Sequence, residues 1–227
     1  MKPQKTAARL VAAGWAIMLA AVLVSCRSGA GPETGPAASR QEAGDPDVVA
    51  LLQERAEKDR SYREDPASPI RDEDRPGFGG LAYYPVDAAF RFRVKLHRYP
   101  RPERLLLATN TGEKRDALRY GYFEFAVGGT SCRLQVYRTE DSVSGGKPYL
   151  FIPFLDATSG KETYGGGRYL DLEENTSGIY DLDFNRAYNP LCAYGRKYSC
   201  PLPPEENRLP VAILAGEKTY RPAAAPK

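Results

Sequence analysis

Hydrophobic positions along this chain change period once. From residue 45 to about residue 62 they recur at helical spacing, so that Val48, Leu51, Leu52 and Ala56 share one face and Glu54 and Lys58 stand an i,i+4 step apart. Asp45 followed by Pro46 supplies an N-cap and a favoured first helical residue. Pro66 and Pro69 follow the expected end of this helix, and no long helical period recurs after them. Residues 90–96 alternate strictly, placing Phe90, Phe92, Val94 and Leu96 toward a core and Arg91, Arg93 and Lys95 toward water. Further β-rich runs cover 105–108, 120–127, 132–137, 149–155, 168–172, 179–184 and 209–214. Asn110-Thr111-Gly112 marks a turn, and Gly128-Gly129 marks a hairpin between the runs that flank it. Pro153 inside its run predicts an edge strand or a bulge. Short strands divided by Gly- and Pro-rich turns predict a mainly β fold, an antiparallel β-sandwich or barrel with one N-terminal helix.

The first 25 residues read as a targeting segment. Lys2, Lys5 and Arg9 form a basic start, and residues 10–24 are apolar, shorter than the roughly 20 residues a membrane span needs. The run ends in Leu23-Val24-Ser25-Cys26, the pattern of a lipobox, in which Cys26 becomes the lipid-bearing first residue of the mature chain. The competing reading is an ordinary signal peptide or an uncleaved anchor with a chance cysteine. Arg27 in place of Asp would not read as an inner-membrane retention signal. On the lipobox reading the protein sits in the cell envelope, held to a membrane through Cys26. Residues 26–44 then form the lipidated Cys and a disordered tether rich in Gly, Ala, Pro and Ser, residues 45–221 a single domain, and residues 222–227 a disordered tail.

Cleavage changes the charge balance. The chain has 32 basic and 29 acidic residues, and the targeting segment holds three of the basic ones and none of the acidic, leaving a formally neutral mature chain. The basic isoelectric point therefore belongs to the leader, and nothing in the charge points to nucleic acid.

Several long motifs run through the domain in a fixed order: RAEKDRSYREDPASPI in the helix, then FGGLAYYPVD, RYGYFEF, PFLDATSGKETYGGGRYLDL, LDFNRAYNPLCAY, CPLPPEENRL and AGEK. Together they resemble the DUF 1684 family of bacteria and archaea. The resemblance covers nearly all of the mature domain and implies a β-rich domain of this size with no agreed activity. The chain departs from the family's pattern at Leu191, where a Pro or an aromatic residue is common, and at Tyr198, where Trp is common.

Candidate chemistry concentrates in residues 149–218. Asp181, Asp183 and Asn185 would share one face of a strand and could offer oxygens to a hard cation. D-x-D-x-N also opens an EF-hand loop, but Arg186 stands where Gly is required, so an EF-hand is excluded. The competing role is turn chemistry, in which Asp183 and Asn185 satisfy loop amides. Cys192 and Cys200 are expected to form a disulfide in an exported protein, leaving Cys132 as a buried thiol. A zinc site built from three cysteines and His97 matches no usual spacing. His97, the single histidine, falls on the exposed side of its strand, which argues against Ser-His-Asp or Cys-His catalysis. Tyr164-Gly-Gly-Gly-Arg168 could cradle an anion or simply turn the chain. Asp156, Asp171 and Asp183 are the candidate carboxylates for a hydrolase.

The reading that best fits is a lipid-anchored domain that binds a small polar ligand or an envelope component through Asp156, Tyr164, Arg168, Asp183, Asn185, Tyr188 and Asn189. No cofactor is implied. The alternatives are a carboxylate hydrolase acting on an envelope substrate and a purely structural lipoprotein.

Overall fold

The computed structural model describes residues 45–139 and 148–222. The targeting segment, Cys26, the tether and the tail from residue 223 onward lie outside the described residues. One helix, α1 (Pro46–Glu64), precedes seven strands: β1 (Arg91–Lys95), β2 (His97–Ala108), β3 (Lys114–Val127), β4 (Thr130–Thr139), β5 (Tyr149–Phe154), β6 (Arg168–Glu173) and β7 (Ile179–Asp183). Strands β2 to β6 form a five-stranded antiparallel sheet in chain order, and β1 pairs with β7 in a second, two-stranded sheet. The two sheets face each other across a core. Phe90 and Val94 from the first strand region and Tyr180 and Leu182 from β7 meet Phe123, Leu134, Val136, Leu150, Ile152, Phe154 and Leu170 of the larger sheet. This is a sandwich-like arrangement, and among the described residues the strand order of each sheet is open.

The alternation in residues 90–96 behaves as its pattern requires, with Val94 and Leu96 buried and Phe92 packed against the core. The hairpin at Gly128-Gly129 joins β3 to β4 with both glycines at positive φ, 54° and 80°, the geometry of a two-residue turn with matching twist. Strand β2 carries Pro100 and Pro102 at the sheet edge, where its register against β3 shifts between Arg98 and Glu103. At this bulge β3 comes so near β2 that a Cβ on Gly121 would stand 2.5 Å from the His97 carbonyl oxygen.

Three local expectations are corrected. The inward face of α1 holds Val48 and Leu51, but Leu52 and Ala56 are exposed, and Arg55, Lys58 and Tyr62 take the facing positions. Polar partners in the loops decide this rotation. Arg55 donates to the Tyr84 and Asn185 carbonyls at 3.3 and 2.8 Å, and Lys58 binds the buried Glu217 rather than Glu54, which instead meets Arg186.

Residues 209–214 form no strand. Their apolar side chains still alternate inward, with Leu209 and Ile213 buried, but the backbone pairs only in part with residues 155–157, Leu209 N–H donating to Leu155 C=O at 2.8 Å and Val211 C=O accepting from Ala157 N–H at 3.0 Å, before side chains take over: Ile213 N–H donates to Asp156 at 2.7 Å and Ile213 C=O accepts from Arg168 at 3.0 Å.

Strand β5 is neither an edge nor bulged; it lies between β4 and β6. Pro153 is tolerated because pairing with β4 ends at Phe151. Beyond that point the Asn207 side chain bridges the strands, accepting from Gln135 N–H at 2.7 Å and donating to the carbonyls of Gln135 and Pro153 at 3.0 and 2.7 Å.

Candidate functional site

The outer face of the five-stranded sheet carries a second, aromatic cluster. Cross-strand partners share a face, so the pairs Leu107 with Arg115, Leu105 with Ala117, Thr139 with Tyr149, Tyr137 with Phe151 and Phe151 with Asp171 all point to this side. Leu107, Ala117, Tyr137, Phe151 and Tyr169 are buried there, with Tyr149 and Tyr188 packed against them. Two loops rise over this floor. On one side, residues 199–202 lie along the end of β2: Leu202 N–H donates to Ala108 C=O at 2.7 Å, and the Cys200 backbone pairs with Asn110 at 3.1 Å. On the other side, Tyr188 extends the sheet beyond β6 by exchanging backbone hydrogen bonds with Tyr169 at 2.9 and 3.1 Å. The space between them is a cleft of about 460 Å³.

The floor of the cleft is apolar and stiff. Phe151 and Tyr169 meet edge to face at 4.8 Å, and Tyr169 and Tyr188 do so at 5.7 Å. The Tyr169 hydroxyl is tied to the Pro201 carbonyl. Polar groups enter from the rim: Arg115, Asp116, Thr139 and Ser199 all line the cleft. Arg115 donates to the Ser199 carbonyl at 3.1 Å. Among the described residues, the Thr139 hydroxyl is buried without a hydrogen-bond partner, a costly state unless a ligand or water supplies one.

Tyr188 hydroxyl donates to Asp171 at 2.5 Å. Asp171 keeps exposed surface, yet protein crowds it on most sides. Desolvation raises its carboxyl from the usual range to about 6, against the opposing hydrogen bond from Tyr188.

The sequence-predicted residues divide among several structures. Asp156 and Arg168 pair at 3.2 Å beneath the surface, with side-chain exposures of 0% and 1%. Asp156 also accepts from Thr158 at 2.7 Å and Ser159 at 3.1 Å, and Arg168 donates to the carbonyls of Ile213, Ala215 and Glu217, while its Nε has no partner among the described residues. This pair is walled off from ligands, and Gly167 N–H bonds back to the Tyr164 carbonyl at 3.1 Å, so the glycine run turns the chain.

Asp183 accepts from both the backbone and side-chain nitrogens of Asn185, at 2.9 and 2.8 Å. Asn185 is buried and exchanges two hydrogen bonds with the Asp87 backbone, at 2.9 and 2.8 Å. Asp181 instead faces Arg91 at 3.5 Å. The three do not converge on a common point, and among the described residues no cluster of three or more acidic, His or Cys side chains is placed to hold a metal. Asp156, Asp171 and Asp183 likewise have no hydrogen-bond partner in common.

Asn189 is buried: its N–H donates to Glu217 at 2.9 Å and its amide to Lys218 C=O at 2.8 Å. Glu217 is itself 1% exposed and is met also by Lys58 and the Tyr194 hydroxyl. His97 is exposed and stacks on Tyr122 at 4.9 Å. Tyr164 hydroxyl approaches Cys192 Sγ at 3.8 Å. Cys192 and Cys200, expected as a disulfide, are free thiols in this structure, and the Cys192 N–H points at Cys200 Sγ at 3.4 Å. Cys132 is a buried free thiol.

Of the residues singled out from sequence, Tyr188, Leu191, Tyr198 and Cys200 line the cleft, and Asp171 joins it through Tyr188. Leu107, Arg115, Thr139, Tyr149 and Phe151 were not read as a site. Their signal is the outward half of each strand, which stays apolar and aromatic where a sandwich surface should be polar.

Fold and cleft together define an antiparallel β-sandwich domain with a concave aromatic site on the outer sheet face. The family described as "Protein of unknown function (DUF1684)" matches residues 76–218. The solution NMR structure of the uncharacterized protein from gene locus rrnAC0354 of Haloarcula marismortui is similar to this chain, with 37% identity and a TM-score of 0.58 over 75% of this chain and 93% of that one. No curated protein matches. The chain belongs to the DUF1684 family.

Proposed function

We propose that this protein is a ligand-binding domain of the cell envelope, tethered through lipid on Cys26, and that its ligand is a small molecule with a flat apolar body and a hydrogen-bonding group. The observation that carries the binding reading is the Thr139 hydroxyl, unpartnered among the described residues, in the wall of a cleft with an aromatic floor. Such a ligand would cover Phe151, Tyr169 and Tyr188 and give Thr139 its missing partner. The aromatic floor favours an apolar body over the wholly polar ligand that the Asp156 and Arg168 reading suggested.

The anchor reading rests on the basic start, the short apolar run and the Ser25-Cys26 ending. Among the described residues no helix is long and apolar enough to cross a membrane.

Two measurements test the proposal. A fluorescent apolar dye such as anilinonaphthalene sulfonate should bind the folded protein, and Phe151→Ala and Tyr188→Ala should weaken it about tenfold or more. Equal binding by wild type and both variants, with all three folded by circular dichroism, would remove the cleft as the site. Metabolic labelling with an alkyne fatty acid should mark the wild-type chain and leave Cys26→Ser unlabelled. Label on both or on neither overturns the anchor.

A further inference from the structure

One thiol of the cleft wall, Cys200, stands beside a second, Cys192, and simple binding uses neither. Cys200 lines the cleft, and its backbone is fixed by Asn110, which accepts from Cys200 N–H at 2.7 Å and donates to Cys200 C=O at 3.1 Å. Cys192 sits on the short 3-10 turn Leu191–Tyr194, which ends at Gly195 in the left-handed conformation. The Cys192 N–H meets Cys200 Sγ at 3.4 Å. An amide donor on sulfur favours the thiolate, and so does the Arg115 guanidinium on the same wall. The hydrogen bond from the Cys192 thiol is the largest influence, and the pair divides unequally: Cys200 is held below the usual thiol range and Cys192 above it. Cys132 has no such setting, and burial, which Cys200 shares at 7% exposure against 5%, pushes it up. It serves as an internal comparison.

We propose that Cys200 and Cys192 form a reactive dithiol that exchanges with a small organic disulfide held in the cleft, Cys200 as the nucleophile and Cys192 as the resolving thiol. The Cys200 thiolate attacks one sulfur of the bound disulfide. That S–S bond breaks, one thiolate leaves with the electron pair, and a mixed disulfide forms on Cys200. Cys192 then gives up its proton to the departed thiolate and attacks the Cys200 sulfur, releasing the second half as a thiolate. The small disulfide gains two electrons and one proton, becoming a thiol and a thiolate, and the dithiol is oxidised to a Cys192–Cys200 bridge. The assignment rests on the cleft being a ligand site.

The test uses reduced protein and the aromatic disulfide dithiodipyridine, with each cysteine followed by mass spectrometry. Cys200 should react about tenfold or more faster than Cys132. Wild type should finish with a Cys192–Cys200 bridge, Cys192→Ser should stop at the mixed disulfide on Cys200, and Cys200→Ser should lose the fast phase. A fast phase that persists in Cys200→Ser overturns the assignment. So does a native Cys192–Cys200 bridge that dithiothreitol cannot open without unfolding the protein, because that bridge would be a staple. Dye binding in the cleft with no fast thiol phase also overturns the dithiol while leaving the binding reading in place.

Discussion

Arg168 and Asp156 form an ion pair at 3.2 Å from which water is almost wholly excluded. The pair does more than neutralise two charges. Asp156 accepts the Ile213 N–H, and Arg168 donates to the carbonyls of Ile213, Ala215 and Glu217, so two side chains supplement the backbone hydrogen bonds that Leu209, Val211, Gly216 and Glu217 make with neighbouring segments.

Removing one partner should therefore cost more than a surface ion pair. Asp156→Ala leaves a buried guanidinium and the Ile213 N–H unpaired, and is expected to lose about 3–5 kcal/mol. Denaturant unfolding of wild type and variant measures it. A loss under about 1 kcal/mol would show that the pair is dispensable.

Glu217 ties α1 to the sandwich through Lys58, while also receiving Asn189 N–H at 2.9 Å and the Tyr194 hydroxyl at 2.5 Å. Glu217→Ala should destabilise the protein by about 3 kcal/mol or more, by orphaning Lys58 and a buried amide. Hydrogen exchange should accelerate first in residues 46–64. Uniform acceleration across the domain would mean that the helix is held by Val48 and Leu51 instead.

Asn207 fills the gap left where β4 and β5 part, bonding three backbone groups. Asn207→Ala is expected to cost about 2–3 kcal/mol, since the Gln135 and Pro153 groups would lose their partners. Asn207→Asp should also destabilise, because a carboxylate cannot donate to the two carbonyls. Thermal unfolding of the two variants checks both statements.

Asp171 should make stability depend on pH. Its carboxyl is raised in the folded state to about 6, so between roughly pH 4 and 6 the folded chain binds more protons than the unfolded one. Stability from this group is then present at low pH and lost as pH rises through 6. Relative to Asp171→Asn, wild type should weaken across that interval. Tyr188→Phe should move the midpoint higher, because the hydroxyl it removes favours the ionised form. Carboxyl carbon NMR titration reads the midpoint directly, and a value near 4 in wild type would refute the argument.

Strand patterning made much of the fold legible. Alternation in residues 90–96, the Gly128-Gly129 turn and the Asp45-Pro46 start are local signals, and each appears where local chemistry places it. The helix face was less legible, because Arg55 and Lys58 turn inward only once Asn185 and Glu217, more than a hundred residues away, are there to receive them. The same limit applies to residues 209–214, whose composition suits a strand.

The candidate site was legible only in fragments. Asp156, Arg168, Asp183 and Asn185 stood out because charged and amide side chains in loops suggest chemistry, yet the fold uses them to satisfy buried backbone groups. The aromatic cleft left a fainter trace, since Leu107, Phe151 and Tyr169 each look like ordinary strand residues. The sequence by itself determined the helix, most strands and the turns, because these follow from spacing of a few residues, and its long motifs carried the resemblance to the family. Tertiary structure alone decided which polar groups are buried partners and which outward faces meet in a cleft, because long-range pairing sets the surroundings of each side chain.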